Sequence, residues 1–142
     1  MTSRYRYLAV VTTIYGIFLS FHSMANEDAE NKAAEAAITW LALIDEERYN
    51  ESWDAAAYYF RNAIAKEQWE QSLNAVRKPL GKVVSREITS RTYTKALPGT
   101  PDGEYVVIQF TTAFENKKSG ADTITPMLDN DGQWRVSGYF IK

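Results

Sequence analysis

The 142-residue chain has a formal net charge of −2, a hydrophobic fraction of 45%, no cysteine and a single histidine. This length suits one domain, and the absence of cysteine excludes disulfides and lipid attachment through an N-terminal cysteine. The only adjacent basic pairs are Arg77-Lys78 and Lys117-Lys118. Because nucleic-acid binding needs a concentrated positive face, the sequence excludes that class of function.

The N-terminal residues have the features of a secretory signal peptide. A basic start with Arg4 and Arg6 precedes an apolar run at 8–21. Small residues then end at Ala25, which predicts cleavage between Ala25 and Asn26. A membrane-spanning helix needs about 20 apolar residues, and this run is shorter, so we predict cleavage rather than retention as an anchor. The mature protein is therefore predicted to be periplasmic or secreted, without a stable membrane anchor.

Cleavage would also change the chemistry that the chain can use. Removing residues 1–25 from the 142-residue chain leaves one domain of 117 residues, 26–142, with a net charge of −4 because Arg4 and Arg6 are lost. The only histidine, His22, is lost with them. A chain without His and Cys cannot use a Ser-His-Asp or Cys-His mechanism or build the usual zinc or copper site. We predict no metal site and no cofactor, and any acid–base chemistry would use carboxylates, Lys or Tyr.

The first half of the mature chain has three apolar stripes at helical spacing. The predicted helices are 27–48, 53–64 and a third that starts near Lys66 and is stopped by Pro79 and Gly81. Trp40, Trp53 and Trp69 lie on the three stripes. This placement favours a role in the hydrophobic core over a role as the walls of a ligand pocket.

From residue 83 the pattern changes to the alternation of β-strands. The predicted strands are 83–93, 104–114, 122–128 and 133–141, separated by turns at 98–103, 116–120 and 129–132. Pro126 indicates an edge strand or a bulge in the third strand. In the first strand, Arg86 and Glu87 are expected on opposite faces of the sheet, and Glu87 and Arg91 on the same face.

Three helices followed by four meandering strands predict an α+β fold in which the helices pack on a curved four-stranded antiparallel sheet. This layout resembles the cone-shaped fold of the nuclear-transport-factor-two-like and ketosteroid-isomerase group, and is of the kind called cystatin-like. That group usually has a strand between its helices, and the pattern here predicts none.

Four blocks of sequence resemble one family of small secreted bacterial proteins that is catalogued as a domain of unknown function. The blocks are 52–73 (SWDAAAYYFRNAIAKEQWEQSL), 77–87 (RKPLGKVVSRE), 97–110 (LPGTPDGEYVVIQF) and 132–142 (GQWRVSGYFIK). The resemblance implies a secreted protein with one domain, and it implies no activity and no site residue. The chain departs from the family's usual Glu and aliphatic residue at Asp122 and Pro126.

Four side chains are candidate ligand-binding residues: Tyr59, Arg86, Trp134 and Tyr139. If Arg86 faces the helices, it is a partly buried cation that needs a partner, either a bound anion or, as the pattern favours, a helix carboxylate. Asp45 lies in an acidic run at the end of the first helix and is a candidate general base. We identify no catalytic residue from the sequence.

The sequence favours a non-catalytic binding module for a small ligand, a peptide or an envelope protein. One alternative is an isomerase or dehydratase that uses a carboxylate and a Tyr, which predicts a closed polar cavity around an acid of raised pKa. Another is a periplasmic inhibitor or immunity protein. The half-apolar outer face of the second strand, with Tyr105, Val107, Gln109 and Thr111, also predicts a homodimer.

Overall fold

The computed structural model describes residues 12–142, with side chains from Met24 onward, and these residues form an α+β fold as predicted. The helices are α1 (Thr12–Asp45), α2 (Tyr49–Asp54), α3 (Tyr58–Ala63) and α4 (Lys66–Val76), followed by a 3₁₀ turn (Lys78–Leu80). The strands are β1 (Val83–Thr94), β2 (Tyr105–Phe114), β3 (Lys117–Leu128) and β4 (Trp134–Ile141). They form one antiparallel meander in the order β1-β2-β3-β4.

Helix α1 crosses the sheet and contacts all four strands. Its buried stripe begins with the small residues Ala33 and Ala37, which let the helix approach the sheet closely, and continues through Leu41 and Ile44. These apolar side chains recur about once per helical turn, which is why one face of the helix is buried. The helix runs through the predicted cleavage site, and among the side chains described, which begin at Met24, the buried stripe starts at Ala33.

The prediction of a single helix over 53–64 is wrong. The chain forms α2, leaves the helical conformation at Ala55–Ala57 and then forms α3. Ala56 and Ala57 are fully buried, and the Ala57 N–H donates to the carbonyl of Val136 in β4 at 2.8 Å. The break therefore occurs where the backbone contacts the sheet, a long-range interaction that helical spacing does not reveal.

The third strand starts earlier than predicted. The turn expected at 116–120 is a two-residue turn at Glu115 and Asn116, and β3 begins at Lys117. Gly120, which suggested a turn, lies inside the strand opposite Thr112. A glycine within a strand often marks a close approach of neighbouring atoms rather than a turn.

Two bulges determine which side chains face the helices. A register shift between Ile88 and Ser90 in β1 places Glu87 opposite Thr111 on the outer face, and Arg91 opposite Ile108 on the helix face. The prediction that Glu87 and Arg91 share a face is therefore wrong, because a bulge reverses the alternation. The irregularity predicted at Pro126 is present as a register shift between Thr125 and Pro126, but the extra residue, Ser137, lies in β4 and not in the third strand.

The outer face of the sheet is less open than predicted. Tyr105 is fully buried, and its hydroxyl donates to the carbonyl of Pro101 at 2.5 Å. The connection between β1 and β2 thus covers this end of the face. Val107 is half-buried, whereas Gln109 and Thr111 are exposed.

Substituting Gly120 should reveal how tightly the middle of the sheet is packed. A Cβ at Gly120 would lie 3.1 Å from both the Phe114 Cε2 and the Thr112 carbonyl oxygen. We expect Gly120→Ala to lower the free energy of unfolding by about 1–3 kcal/mol, the usual cost of overpacking. Gly138→Ala is the control, since its Cβ would be 3.8 Å from the nearest atom. Equal urea midpoints for the two variants would contradict the expectation.

Candidate functional site

A buried ion network joins residues at the ends of two helices with residues from two strands. It consists of Asp45 at the end of α1, Arg77 directly after α4, Arg86 in β1 and Asp122 in β3. Arg86 Nη1 and Nη2 contact the Asp45 carboxylate at 2.6 and 3.1 Å, and Arg86 Nε contacts Asp122 Oδ2 at 3.0 Å. Arg77 Nη2 adds a 3.2 Å contact to Asp45 Oδ1. The two guanidinium charges and the two carboxylate charges balance, which lets the cluster lie inside the fold.

Asp122 is the most deeply buried member of the network, at 0% exposure. Besides Arg86, it accepts hydrogen bonds from the hydroxyls of Thr112 at 2.7 Å and Tyr139 at 3.1 Å. Both of its oxygens therefore have donors within the chain. A buried carboxylate satisfied in this way contributes to the structure and has no free oxygen facing a cavity.

The network also affects the protonation of the groups around it. Burial, and the negative charge of Asp122, raise the pKa of Tyr139 well above its usual value, so Tyr139 keeps its proton and its hydroxyl donates a hydrogen bond to Asp122. Burial lowers the pKa of Arg86, but hydrogen bonds and charge from Asp45 outweigh burial, and the pKa is raised overall. Arg86 is therefore a permanent cation.

An apolar groove borders the network on the side of Tyr139. We call it the α4–β4 groove; it has a volume of about 230 Å³ and is lined by Trp69, Ser72, Leu73, Val76, Tyr139, Phe140 and Ile141. Val76 and Phe140 are 57% and 55% exposed, and the register of β4 places the Phe140 side chain on the opposite face of the sheet from Tyr139. Tyr139 thus has its ring in the groove and its hydroxyl on Asp122.

The floor of the groove is held by an aromatic cluster. The Trp69 ring lies 4.9 Å from that of Phe60, 6.0 Å from that of Trp40 and 6.4 Å from that of Tyr139 between centroids. Ser52 is fully buried and accepts hydrogen bonds from both indole N–H groups. The Trp40 indole donates to the Ser52 carbonyl at 2.8 Å, and the Trp69 indole donates to the Ser52 hydroxyl at 3.0 Å. The packing and the hydrogen bonds fix the orientation of Trp69.

The sequence matches one protein family over most of its length. The family model described as Protein of unknown function (DUF4019) covers residues 36–139. The chain belongs to this family. The match confirms the resemblance to a domain of unknown function, and it includes all four residues of the buried ion network. No curated protein and no solved structure matches this DUF4019 chain.

Two of the predicted site residues lie together and two lie apart. Arg86 and Tyr139 meet at Asp122, and the partner of Arg86 is a helix carboxylate, Asp45, as favoured. Trp134 lies in a separate open groove of about 680 Å³ between α1 and the start of β4. The four residues therefore do not form one site.

Tyr59 lines a third groove, of about 770 Å³, between α3 and the turn before β4. Its hydroxyl donates to the carbonyl of Gly99 at 3.3 Å. Part of the charge in this groove is compensated, since Arg135 binds Asp129 and Asp131 at 3.0 and 2.8 Å. Hydrogen bonds from Arg135 lower the pKa of Asp131 to about 2.

Sequence reasoning missed Arg77 as a member of the network and the groove beside β4. Arg77 is only 3% exposed, but in the sequence it is one of two adjacent basic residues at a helix end, where exposed cations are common. The tryptophans were predicted to belong to the core, and Trp40 and Trp69 do, with exposures of 3% and 7%. Trp69 also lines the groove.

The described part of the chain places two further limits on the site. No three His, Cys, Asp or Glu side chains there could together hold a metal ion. Among the same residues, no helix has the length and apolar character needed to cross a membrane.

Proposed function

We propose that this DUF4019 protein is a non-catalytic binding module that works in the periplasm, and that the α4–β4 groove is its binding surface. The observation that carries the proposal is the groove itself: the exposed Val76 and the partly exposed Tyr139 and Ile141 border a depression whose aromatic floor is held in place by Trp69 and its neighbours. Soluble proteins seldom leave such side chains clustered at the surface without a binding role.

The buried carboxylates favour binding over catalysis. An isomerase or dehydratase would need an acid that faces a cavity and can exchange a proton. Asp122 has its oxygens occupied by Arg86, Thr112 and Tyr139, and Asp45 accepts hydrogen bonds from two arginines. The space between helices and sheet that such an enzyme would use is filled by a continuous cluster of apolar side chains.

The periplasmic location rests on the predicted signal peptide. Supporting it, Met24 is 67% exposed and the buried stripe of α1 starts at Ala33, so cleavage before Asn26 would remove no core residue among those whose side chains are described. We expect the protein recovered from the periplasm of expressing cells to begin at Asn26 when its intact mass is measured. Ala25→Phe should abolish this cleavage, because the site requires a small residue. An uncleaved wild-type chain in the membrane fraction would contradict the proposal.

A charge in the groove should abolish binding without unfolding the domain. Val76 is 57% exposed, so Val76→Asp should change the free energy of unfolding by less than about 0.5 kcal/mol. If the groove binds an apolar ligand, native mass spectrometry of gently purified wild-type protein should show added mass that denaturation releases, and Val76→Asp should lack it.

Val84→Asp is the matched control, because Val84 is 69% exposed and lies outside the groove. It should retain the added mass. A bare wild-type protein, or equal loss of the added mass in both variants, would overturn the proposed function.

A further inference from the structure

The strand that borders the α4–β4 groove is at the edge of the sheet. Lys142 and Ala121 exchange both backbone hydrogen bonds, at 2.9 and 3.0 Å. Hydrogen-bonded and non-hydrogen-bonded residue pairs alternate along an antiparallel ladder. Phe140, which lies opposite Thr123, is therefore the next residue of β4 that is hydrogen-bonded to β3. The N–H and C=O groups of Tyr139 and Ile141 therefore point away from β3.

These outward groups have no backbone partner in the described chain. β4 is the last strand in the sheet order, and the Ala57 N–H contacts it only at the Val136 carbonyl, before the groove begins. Helix α4 packs toward the sheet through the Trp69 and Leu73 side chains, and no backbone hydrogen bond joins it to the described residues of β4. A row of alternating donors and acceptors thus lies beside an apolar depression.

The two edge strands of the sheet differ in the features that prevent pairing with another chain. Edge strands usually carry bulges or charged residues that prevent pairing with other chains. β1 has register shifts after Val83 and after Ile88, and carries Arg86, Glu87 and Arg91. β4 carries Arg135 and a register shift between Val136 and Gly138, whereas the segment 138–141 beyond it has no further shift and no charged residue. The segment 138–141 beside the groove is therefore a stretch of edge that is suited to pairing.

We infer that the occupant of the α4–β4 groove is an extended peptide segment of another protein, which adds to the sheet as a fifth strand along β4. This inference rests on the proposed function and names its ligand. A residue of the peptide opposite Tyr139 would share the face of Tyr139 and place its side chain in the groove. The backbone would supply the hydrogen bonds, and the apolar side chain would supply the selectivity.

The dimensions of the edge favour a peptide over a second copy of this chain. The outward groups belong to Tyr139 and Ile141, so the free edge is about 7 Å long. A stable dimer buries about 1,200–2,000 Å² in total, which so short a strand pairing does not approach. A short segment with one anchored apolar side chain needs no larger surface.

The first test is amide hydrogen exchange, measured by NMR on the free protein. The amides of Tyr139 and Ile141 should exchange fast, whereas those of Gly138 and Phe140 should be protected by β3. Slow exchange at Tyr139 and Ile141 in the free protein, together with a dimer mass by sedimentation, would overturn the inference in favour of a second copy.

The second test uses short linear peptides selected from a random displayed library on the purified protein. The best peptide is then resynthesised with single N-methyl groups at successive positions. Strand addition predicts about tenfold weaker binding at alternate positions and little change between them, because only every second N–H faces β4. Binding of the peptide should also protect Tyr139 and Ile141 from exchange.

The outcomes separate this inference from the proposed function. Peptides that lose binding with Val76→Asp but not Val84→Asp, and show no alternation on N-methylation, would overturn strand addition and leave the groove as a binding site. Peptides that bind equally to both variants, or a library that yields none, would overturn both.

Discussion

Replacing Arg86 with Met should lower the free energy of unfolding by about 3–5 kcal/mol, the usual cost of leaving a buried charge without its partner. Arg86 contacts Asp45 and the fully buried Asp122. Met keeps much of the side-chain volume, so the loss would come from charge rather than from a cavity. A domain of this size has a total stability of about 5–15 kcal/mol, so this one substitution would remove a large part of it.

Urea unfolding followed by tryptophan fluorescence measures the effect. Arg91→Met is the matched control, because Arg91 lies in the same strand on the same face but is exposed and contacts only the Asn31 side chain, at 2.6 Å. The control should lose less than about 1 kcal/mol. Equal losses for the two variants would show that the buried network contributes nothing special to stability.

A second substitution keeps the test informative if Arg86→Met does not fold. Arg86→Lys retains the positive charge, but an ammonium group cannot make the paired hydrogen bonds to both carboxylates that the planar guanidinium makes. It should therefore lower the free energy of unfolding measurably, but by less than Arg86→Met. In the double variant Arg86→Met/Asp122→Asn, removing the unpaired carboxylate should recover part of the loss. Strict additivity of the two substitutions would contradict direct coupling between Arg86 and Asp122.

The general architecture could be predicted because hydrophobic periodicity is a local signal. The change of period near residue 83 separated helices from strands, and Pro126 indicated the register shift that the structure contains. The errors occurred where distant contacts decide the local conformation. The break at Ala55–Ala57 depends on a hydrogen bond to Val136, and the face of Arg91 depends on a bulge in β1. Neither has a sequence signature within its own segment.

The candidate site could be predicted only in part for the same reason. That a buried Arg86 needs a carboxylate follows from the cost of burying a charge, and Asp45 is that carboxylate. The convergence of Arg86 with Asp122 and Tyr139 depends on the pairing of β1, β2 and β3. The groove depends on how far α4 lies from β4, a distance that no residue pattern specifies.

Tyr139 connects the two parts of the site. Its ring contacts Trp40 at 5.4 Å between centroids, and its hydroxyl contacts Asp122. The groove wall is thus tied to the ion network and to the helical layer at once. A wall held in this way is preorganised, so ligand binding would not incur the conformational-entropy cost of ordering its side chains.

Replacing Trp69 with Ala should lower the free energy of unfolding by about 3–5 kcal/mol and also remove the floor of the groove. Trp69 is 7% exposed and packs against Phe60, Trp40 and Tyr139. The truncation would leave the hydroxyl of Ser52 without its indole donor in a buried position. Thermal unfolding followed by circular dichroism measures the loss.

Trp53→Ala is the control, because Trp53 is only partly buried at the margin of the core. It should cost clearly less than Trp69→Ala, although it too loses an indole hydrogen bond, to the carbonyl of Ile64 at 2.8 Å. Trp69→Phe separates the two roles of the residue: it keeps an aromatic ring in the groove but loses the hydrogen bond to Ser52. If Trp69→Phe retains most of the stability and binding, the packing of the aromatic ring is what maintains the floor of the groove. If its losses are as large as those of Trp69→Ala, the floor depends on the hydrogen bond to Ser52 that orients the ring.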